Sequence, residues 1–67
     1  MIRLDTHKVQ VEMARRCMSN KELADRINWF PGDLLKVLSG KRKAKIKTIG
    51  LIAKALDVDV EDIITEE

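Results

Sequence analysis

The chain has 67 residues, a formal net charge of +2, one cysteine and one histidine. A single cysteine excludes an internal disulfide, and one cysteine with one histidine cannot supply a metal site of thiolate and imidazole ligands. No apolar run approaches the length of roughly 18 residues that a membrane span requires. The opening MIRLDTHK also lacks the apolar core of a signal peptide. We therefore expect one small cytoplasmic domain over residues 1–67, with no membrane partner.

The first segment of the chain predicts a short extended piece followed by a helix. Ile2 and Leu4 alternate with polar neighbours, which indicates a few extended residues at most. Thr6 is suited to cap a helix that runs to about Arg16. The inward face of this helix is predicted to carry an apolar series, Val9, Met13 and Cys17. Buried packing is therefore the role expected of Cys17.

Residues 19–40 predict two short helices joined by a turn of about four residues. Ser19 followed by Glu22 forms a capping box, and Asn28 tolerates the positive φ that can end a helix. Pro31 suits the first turn of the next helix, which Gly40 ends. The apolar stripes of the two helices are Leu23, Ala24 and Ile27, then Leu34, Val37 and Leu38. This pattern matches a helix-turn-helix, and an ordinary helical hairpin is the alternative.

The second half of the chain predicts two further helices. The residues spaced as the apolar face of a fourth helix are Ile46, Ile49, Ile52, Ala53 and Leu56. Asp59 is suited to cap a short fifth helix over Val60–Ile64, with Asp62 three residues after the cap. The predicted fold class is therefore all-α, a compact domain of five helices.

The charges are distributed unevenly although the net charge is small. Six of the 13 basic residues fall within twelve positions, namely Lys36, Lys41, Arg42, Lys43, Lys45 and Lys47. From Asp57 to Glu67 the chain carries six acidic residues and no basic one. A domain with one basic side can dock on phosphates while its net charge stays near zero. The alternative is a solvated basic loop beside a frayed acidic tail.

Three segments together resemble the Cro/lambda-repressor type of helix-turn-helix, the XRE family. They are KELADRIN, LLKVLSGK and KTIGLIAKALDVDVEDII, and the likeness runs from about Val9 to Ile64. The resemblance implies a lambda-repressor-like fold whose third helix, about residues 31–39, enters the major groove of double-stranded DNA. It also implies a transcriptional regulator or antitoxin of bacterial or phage type, without enzymatic activity, cofactor or small-molecule ligand.

The resemblance also implies which residues contact DNA. Those expected at phosphates are Asn20, Lys21, Ser39, Lys41, Lys43 and Lys45. Those expected at bases are Phe30, Pro31, Gly32, Asp33, Leu35, Lys36 and Arg42. Lys36 can donate to guanine, Asp33 can accept from cytosine, and Phe30 or Leu35 can touch a thymine methyl group. Arg42 can read guanine or bind phosphate.

This surface departs from the family pattern. Pro31 and Gly32 stand where Gln and Ser are common, and Phe30 replaces a small capping residue. The concentration of unusual residues favours the hypothesis that the recognition surface was reselected or redesigned. Asp33 would repel phosphate unless it pairs with a cytosine amine or with Lys36.

Two questions stay open at the level of the sequence. If Trp29, Phe30 and Leu35 form an exposed apolar patch, the same fold would serve as a protein-interaction module instead. A dimer face around the fifth helix is a further possibility, so the chain is expected to be a monomer or a weak homodimer.

Overall fold

The computed structural model describes residues 2–66, which form a mostly helical fold with a small sheet. In chain order the elements are β1 (Ile2–Leu4), α1 (Thr6–Arg15), α2 (Asn20–Ile27), α3 (Pro31–Leu38), α4 (Ile46–Leu56), a 3-10 helix (Val60–Ile63) and β2 (Ile64–Glu66). The predicted helix-turn-helix is confirmed as α2 and α3, which pack on each other. Within residues 2–66 the longest helix has 11 residues, and none has the length and apolar character needed to cross a bilayer.

The prediction of five helices is wrong, because the last helical segment is a single 3-10 turn. Asp59 caps it as predicted: its carboxylate accepts from the N–H of Glu61 at 3.0 Å, and Asp62 accepts from the N–H of Asp59 at 3.1 Å. Ile64 is already extended, with φ −119° and ψ 162°. The chain leaves the helical conformation there because residues 64–66 form β2.

The sheet joins the two ends of the described chain. The strands β1 and β2 are antiparallel, with Ile2 opposite Glu66, Arg3 opposite Thr65 and Leu4 opposite Ile64. One residue beyond β1, the N–H of Asp5 donates to the carbonyl oxygen of Ile63 at 2.8 Å. The extended N-terminal residues are therefore confirmed, but local spacing did not predict their pairing with residues 64–66.

The core is built from the helical stripes, with two exceptions to the predicted pattern. Its buried members are Val9, Met13, Met18, Leu23, Ala24, Ile27, Leu34, Leu38, Ile49, Ile52, Ala53, Leu56 and Ile63. The predicted burial of Cys17 is wrong: α1 ends at Arg15, and Cys17 turns outward with φ 51°. Ile46 is also outside the core, because it is the first residue of α4 and is 76% exposed.

The corner between α2 and α3 has three residues, 28–30, rather than about four. Asn28 ends α2 in the left-handed conformation, with φ 63° and ψ 43°, as predicted. The N–H of Trp29 donates to the carbonyl oxygen of Ala24 at 2.8 Å, and its side chain packs against the core. Pro31 begins α3 as predicted, after Phe30, whose side chain makes no capping hydrogen bond.

The start of α2 provides a test of how the helix-turn-helix is stabilised. Ser19 accepts from the N–H of Glu22 at 3.1 Å, and Glu22 accepts from the N–H of Ser19 at 3.3 Å. We expect Ser19→Ala to lower the free energy of unfolding by about 1 kcal/mol. Thermal unfolding followed by circular dichroism should then show a midpoint lower by about 4–8 °C.

Ser19→Asp is the matched control, because a carboxylate at the same position keeps the acceptor and suits the positive end of the helix. It should retain most of the stability. An equal loss for both variants would contradict the capping role.

Candidate nucleic-acid interface

The outer face of α3 is the surface that the sequence associates with base contacts. Leu34, Val37 and Leu38 are buried against the rest of the fold. Since successive residues are about 100° apart around a helix, Gly32 and Lys36 lie nearly opposite this buried stripe. Both are exposed, and a Cβ atom at Gly32 would meet nothing within 4 Å. The first turn of this face therefore has no side chain packed over the backbone at Gly32.

One side of α3 faces the start of α2. The Nδ2 of Asn20 donates to the carbonyl oxygen of Pro31 at 3.2 Å, which ties the two helices together at their first turns. Asn20, Leu35 and Ser39 line one cleft with Gln10, Met13 and Leu38. We call Asn20, Leu35 and Ser39 the α2 flank. Gln10 is a member of this cleft that the sequence did not predict, because it is an isolated polar residue on another helix.

The amide of Asn20 is only partly satisfied. Its Oδ1 is buried and has no hydrogen-bond partner among residues 2–66. Pro31, the residue it faces, has no backbone N–H to offer. The Nδ2 carries a second N–H besides the one that bonds Pro31. Asn20 therefore ties the start of α3 to α2 and keeps additional hydrogen-bonding capacity beside it.

The other side of α3 faces the loop of residues 40–45. The carbonyl oxygen of Lys36 accepts from the N–H of Lys41 at 3.0 Å and from the N–H of Arg42 at 3.1 Å. It also accepts from the hydroxyl of Ser39 at 3.2 Å. These hydrogen bonds fold the loop back against the last turn of α3. The loop and its basic residues therefore lie beside the outer face of α3.

Arg42 reaches the first turn of α3. Its Nη1 lies 3.7 Å from Oδ1 of Asp33, and the two side chains are 48% and 44% exposed. The same two residues line a small cleft with Asn28, Trp29 and Phe30. We call Phe30, Asp33 and Arg42 the loop flank. From the sequence, Lys36 is a candidate ionic partner of Asp33. In the structure the ionic partner of Asp33 is Arg42.

The remaining basic residues are distributed along the loop and beyond it. Arg42, Lys43 and Lys45 line a cleft with Trp29 and Thr48. Arg3 of β1 lines a neighbouring cleft with Arg42 and Lys43. The sequence did not predict that Arg3 lies near Arg42, because the two residues are 39 positions apart in the chain. The pairing of β1 with β2 determines the position of Arg3. Lys21 and Lys41 are exposed, but neither lines these clefts.

The three large apolar residues of this region differ in exposure. Phe30 is 80% exposed and Leu35 is 56% exposed, whereas Trp29 is half-buried and packs against the core. Phe30 lies on the loop flank and Leu35 on the α2 flank. Of the Trp29, Phe30 and Leu35 surface considered from the sequence, Phe30 and Leu35 are therefore the exposed members.

The region contains no evident metal chemistry. Among residues 2–66, no group of three or more histidine, cysteine, aspartate or glutamate side chains is placed to hold a metal ion. The arrangement instead combines an exposed helix face with polar side chains on the α2 side and basic side chains on the loop side. Such groups can contact base edges and phosphates.

Comparison with known proteins agrees with this arrangement. Residues 8–67 match the family described as the Cro/C1-type HTH DNA-binding domain. No curated protein matches the chain, and no solved structure does so either. The family match covers all four α-helices, the 3-10 helix and β2, apart from the first two residues of α1. The chain therefore belongs to the Cro/C1-type helix-turn-helix DNA-binding domains.

Proposed function

We propose that the protein binds double-stranded DNA in a sequence-specific manner, with α3 in the major groove, as a non-enzymatic regulator of transcription. Membership in a DNA-binding family supports DNA as the ligand. The observation that carries the finer proposal is the outer face of α3, which is open at Gly32 and lies between the amide of Asn20 on one side and the guanidinium of Arg42 on the other.

The dimensions of this surface suit a major groove. An α-helix such as α3 (Pro31–Leu38) is about 10–12 Å across with its side chains, and the major groove of B-DNA is about 12 Å wide. A helix lying in the groove has a phosphate backbone on either side. The α2 flank and the loop carry polar and basic groups on the two sides of α3, which supports contact with both backbones.

We assign base contacts to the outer face of α3 and its first turn. Lys36, near the middle of the exposed face, is the proposed donor to guanine O6 and N7. Phe30 and Leu35, both exposed, are proposed to touch thymine methyl groups, while Pro31 and Gly32 contribute shape without side-chain hydrogen bonds. Asp33 and Arg42 lie beside this face as an ion pair.

We assign phosphate contacts to residues that surround this face, namely Asn20, Lys21, Ser39, Lys41, Lys43 and Lys45. All except the half-buried Asn20 are exposed. With the four lysines of this set at phosphates, the logarithm of affinity should fall with the logarithm of salt concentration at a slope of about −3.6. Binding should therefore weaken steeply as salt increases.

Selection from a randomised duplex pool at about 150 mM salt tests the proposal directly. Enrichment of a motif with G·C pairs opposite Lys36 supports sequence-specific reading. Two half-sites about 34–36 Å apart would show a dimer, and a single short motif would show a monomer. Binding without enrichment would contradict sequence specificity. The absence of any binding would contradict the function itself and direct attention to Phe30 and Leu35 as a protein-contact surface.

Lys36 and Lys41 should respond differently to replacement by alanine. We expect Lys36→Ala to reduce discrimination at one base pair by about 1–3 kcal/mol, since it removes a base contact. Lys41→Ala should weaken binding to all duplexes alike and reduce the salt slope by about one. Fluorescence anisotropy with the selected site and its single-base variants measures both effects. An equal loss on every sequence for Lys36→Ala would contradict its base-reading role.

Gly32→Ala should change stability and DNA affinity in opposite directions. In the free protein the added Cβ meets open space, so the substitution should raise stability by up to about 0.5–1 kcal/mol. In the complex the same Cβ would face the DNA, so we expect weaker binding. Denaturant unfolding and anisotropy measure the two quantities.

Gly50→Ala is the matched control for this experiment. Gly50 lies in α4, and a Cβ there also meets nothing within 4 Å. This variant should gain stability without losing DNA affinity. If Gly32→Ala bound DNA as tightly as Gly50→Ala does, close approach of DNA to Gly32 would be wrong.

A further inference from the structure

The ion pair between Asp33 and Arg42 occupies an unusual place for an acidic residue in a DNA-binding surface. Asp33 is in the first turn of α3, and the N-terminal residues of a recognition helix are those that contact base edges. A carboxylate there opposes the approach of phosphates. Its ionic partner, Arg42, is one of the cations that would otherwise be available to DNA.

Arg42 is held at this position by its backbone as well as by its charge. Its N–H donates to the carbonyl oxygen of Lys36 at 3.1 Å, so the loop is folded toward α3. The side chain lines the cleft formed by Trp29, Phe30 and Asp33 at the start of α3. Trp29 packs against the core, so one wall of this cleft is fixed.

We propose that Asp33 is a specificity-determining residue that acts by positioning Arg42. It holds the guanidinium over the first turn of α3, where it can reach a guanine, and withholds it from phosphates. This inference rests on the proposed function, because it concerns how the same surface distinguishes one duplex from another.

The donor geometry of arginine explains the difference between the two ligands. A guanidinium has five N–H donors, and a bidentate contact to guanine O6 and N7 uses two of them. A third can remain directed at Asp33, so the ion pair persists in a specific complex. A phosphate lies outside the groove, and Arg42 must leave Asp33 to reach it. That movement would expose a carboxylate close to the DNA backbone.

The pair is suited to this role because it is exposed. An ion pair whose side chains are about half exposed contributes little to folding, since water and salt screen it. Removing the charge of Asp33 should therefore leave the fold intact. Its effect should appear mainly in the comparison of specific and nonspecific DNA.

The test compares Asp33→Asn with Glu61→Gln, which removes one negative charge at another exposed position. Glu61 lies on the 3-10 helix, whose main packing partners are α1 and α4. Anisotropy with the selected duplex and a scrambled duplex, over a range of salt concentrations, gives affinity and salt slope for each variant. Circular dichroism verifies that both variants remain folded.

We expect Asp33→Asn to tighten binding to the scrambled duplex about five-fold at about 0.15 M salt. One additional phosphate contact adds about 0.9 to the salt slope, which corresponds to about a five-fold gain in affinity at this salt concentration. The salt slope should steepen by about 0.9, and the ratio of specific to scrambled affinity should fall about five-fold. Glu61→Gln should change both affinities alike. In an Arg42→Ala background, Asp33→Asn should no longer change the ratio.

A second readout examines the pair without DNA. In the free protein, Asp33→Asn should shift the ¹⁵N NMR signal of the Arg42 Nε, and Glu61→Gln should leave it in place. The inference would be wrong if Asp33→Asn and Glu61→Gln had the same effect on the affinity ratio, or if the effect of Asp33→Asn persisted without Arg42. Neither result would contradict sequence-specific binding itself. A wild-type protein that bound no duplex would overturn the proposed function and this inference together.

Discussion

The left-handed turn at Asn28 is the constraint on which the recognition surface depends. Its N–H bonds to the carbonyl oxygens of Ala24 and Asp25, which closes the end of α2 and redirects the chain. Trp29 then packs against the core, and α3 begins at Pro31, two residues after Trp29. If α2 simply continued, the face that carries Gly32 and Lys36 would not exist as a separate exposed stripe. Asparagine is one of the few residues other than glycine that adopts this conformation at small cost.

The parts of the fold that the sequence predicted are those with local causes. The capping box at Ser19 and Glu22, the left-handed end at Asn28 and the proline start at residue 31 each involve residues within a few positions of one another. The apolar stripe of α3 follows from the helical repeat alone. The structure confirms these features because short-range hydrogen bonds and side-chain direction determine them.

The features that the sequence did not predict have causes that local patterns do not contain. The 3-10 turn in place of a fifth helix results from the pairing of β1 with β2, whose residues lie about sixty positions apart. Cys17 continues the helical repeat of α1, yet α1 ends before it, and Met18 takes the buried position. The Asp33–Arg42 pair arises because three hydrogen bonds to Lys36 fold the loop back. Spacing along the chain gives no signal for that fold-back.

The composition of α3 limits how much specificity one copy of the chain can provide. Pro31 and Gly32 supply no side-chain hydrogen bonds, so in the proposed complex direct reading by hydrogen bonds would rest on Lys36 and on Arg42 with Asp33. Two such contacts, at roughly 1–3 kcal/mol each, give about 2–6 kcal/mol of discrimination. Specific DNA-binding proteins typically reach about 4–10 kcal/mol. One copy therefore reaches at most the lower part of this range, whereas two copies on adjacent half-sites would give about 4–12 kcal/mol, which covers it. The same argument favours a homodimer on DNA even if the free protein is a monomer, because the duplex itself would hold the two copies side by side.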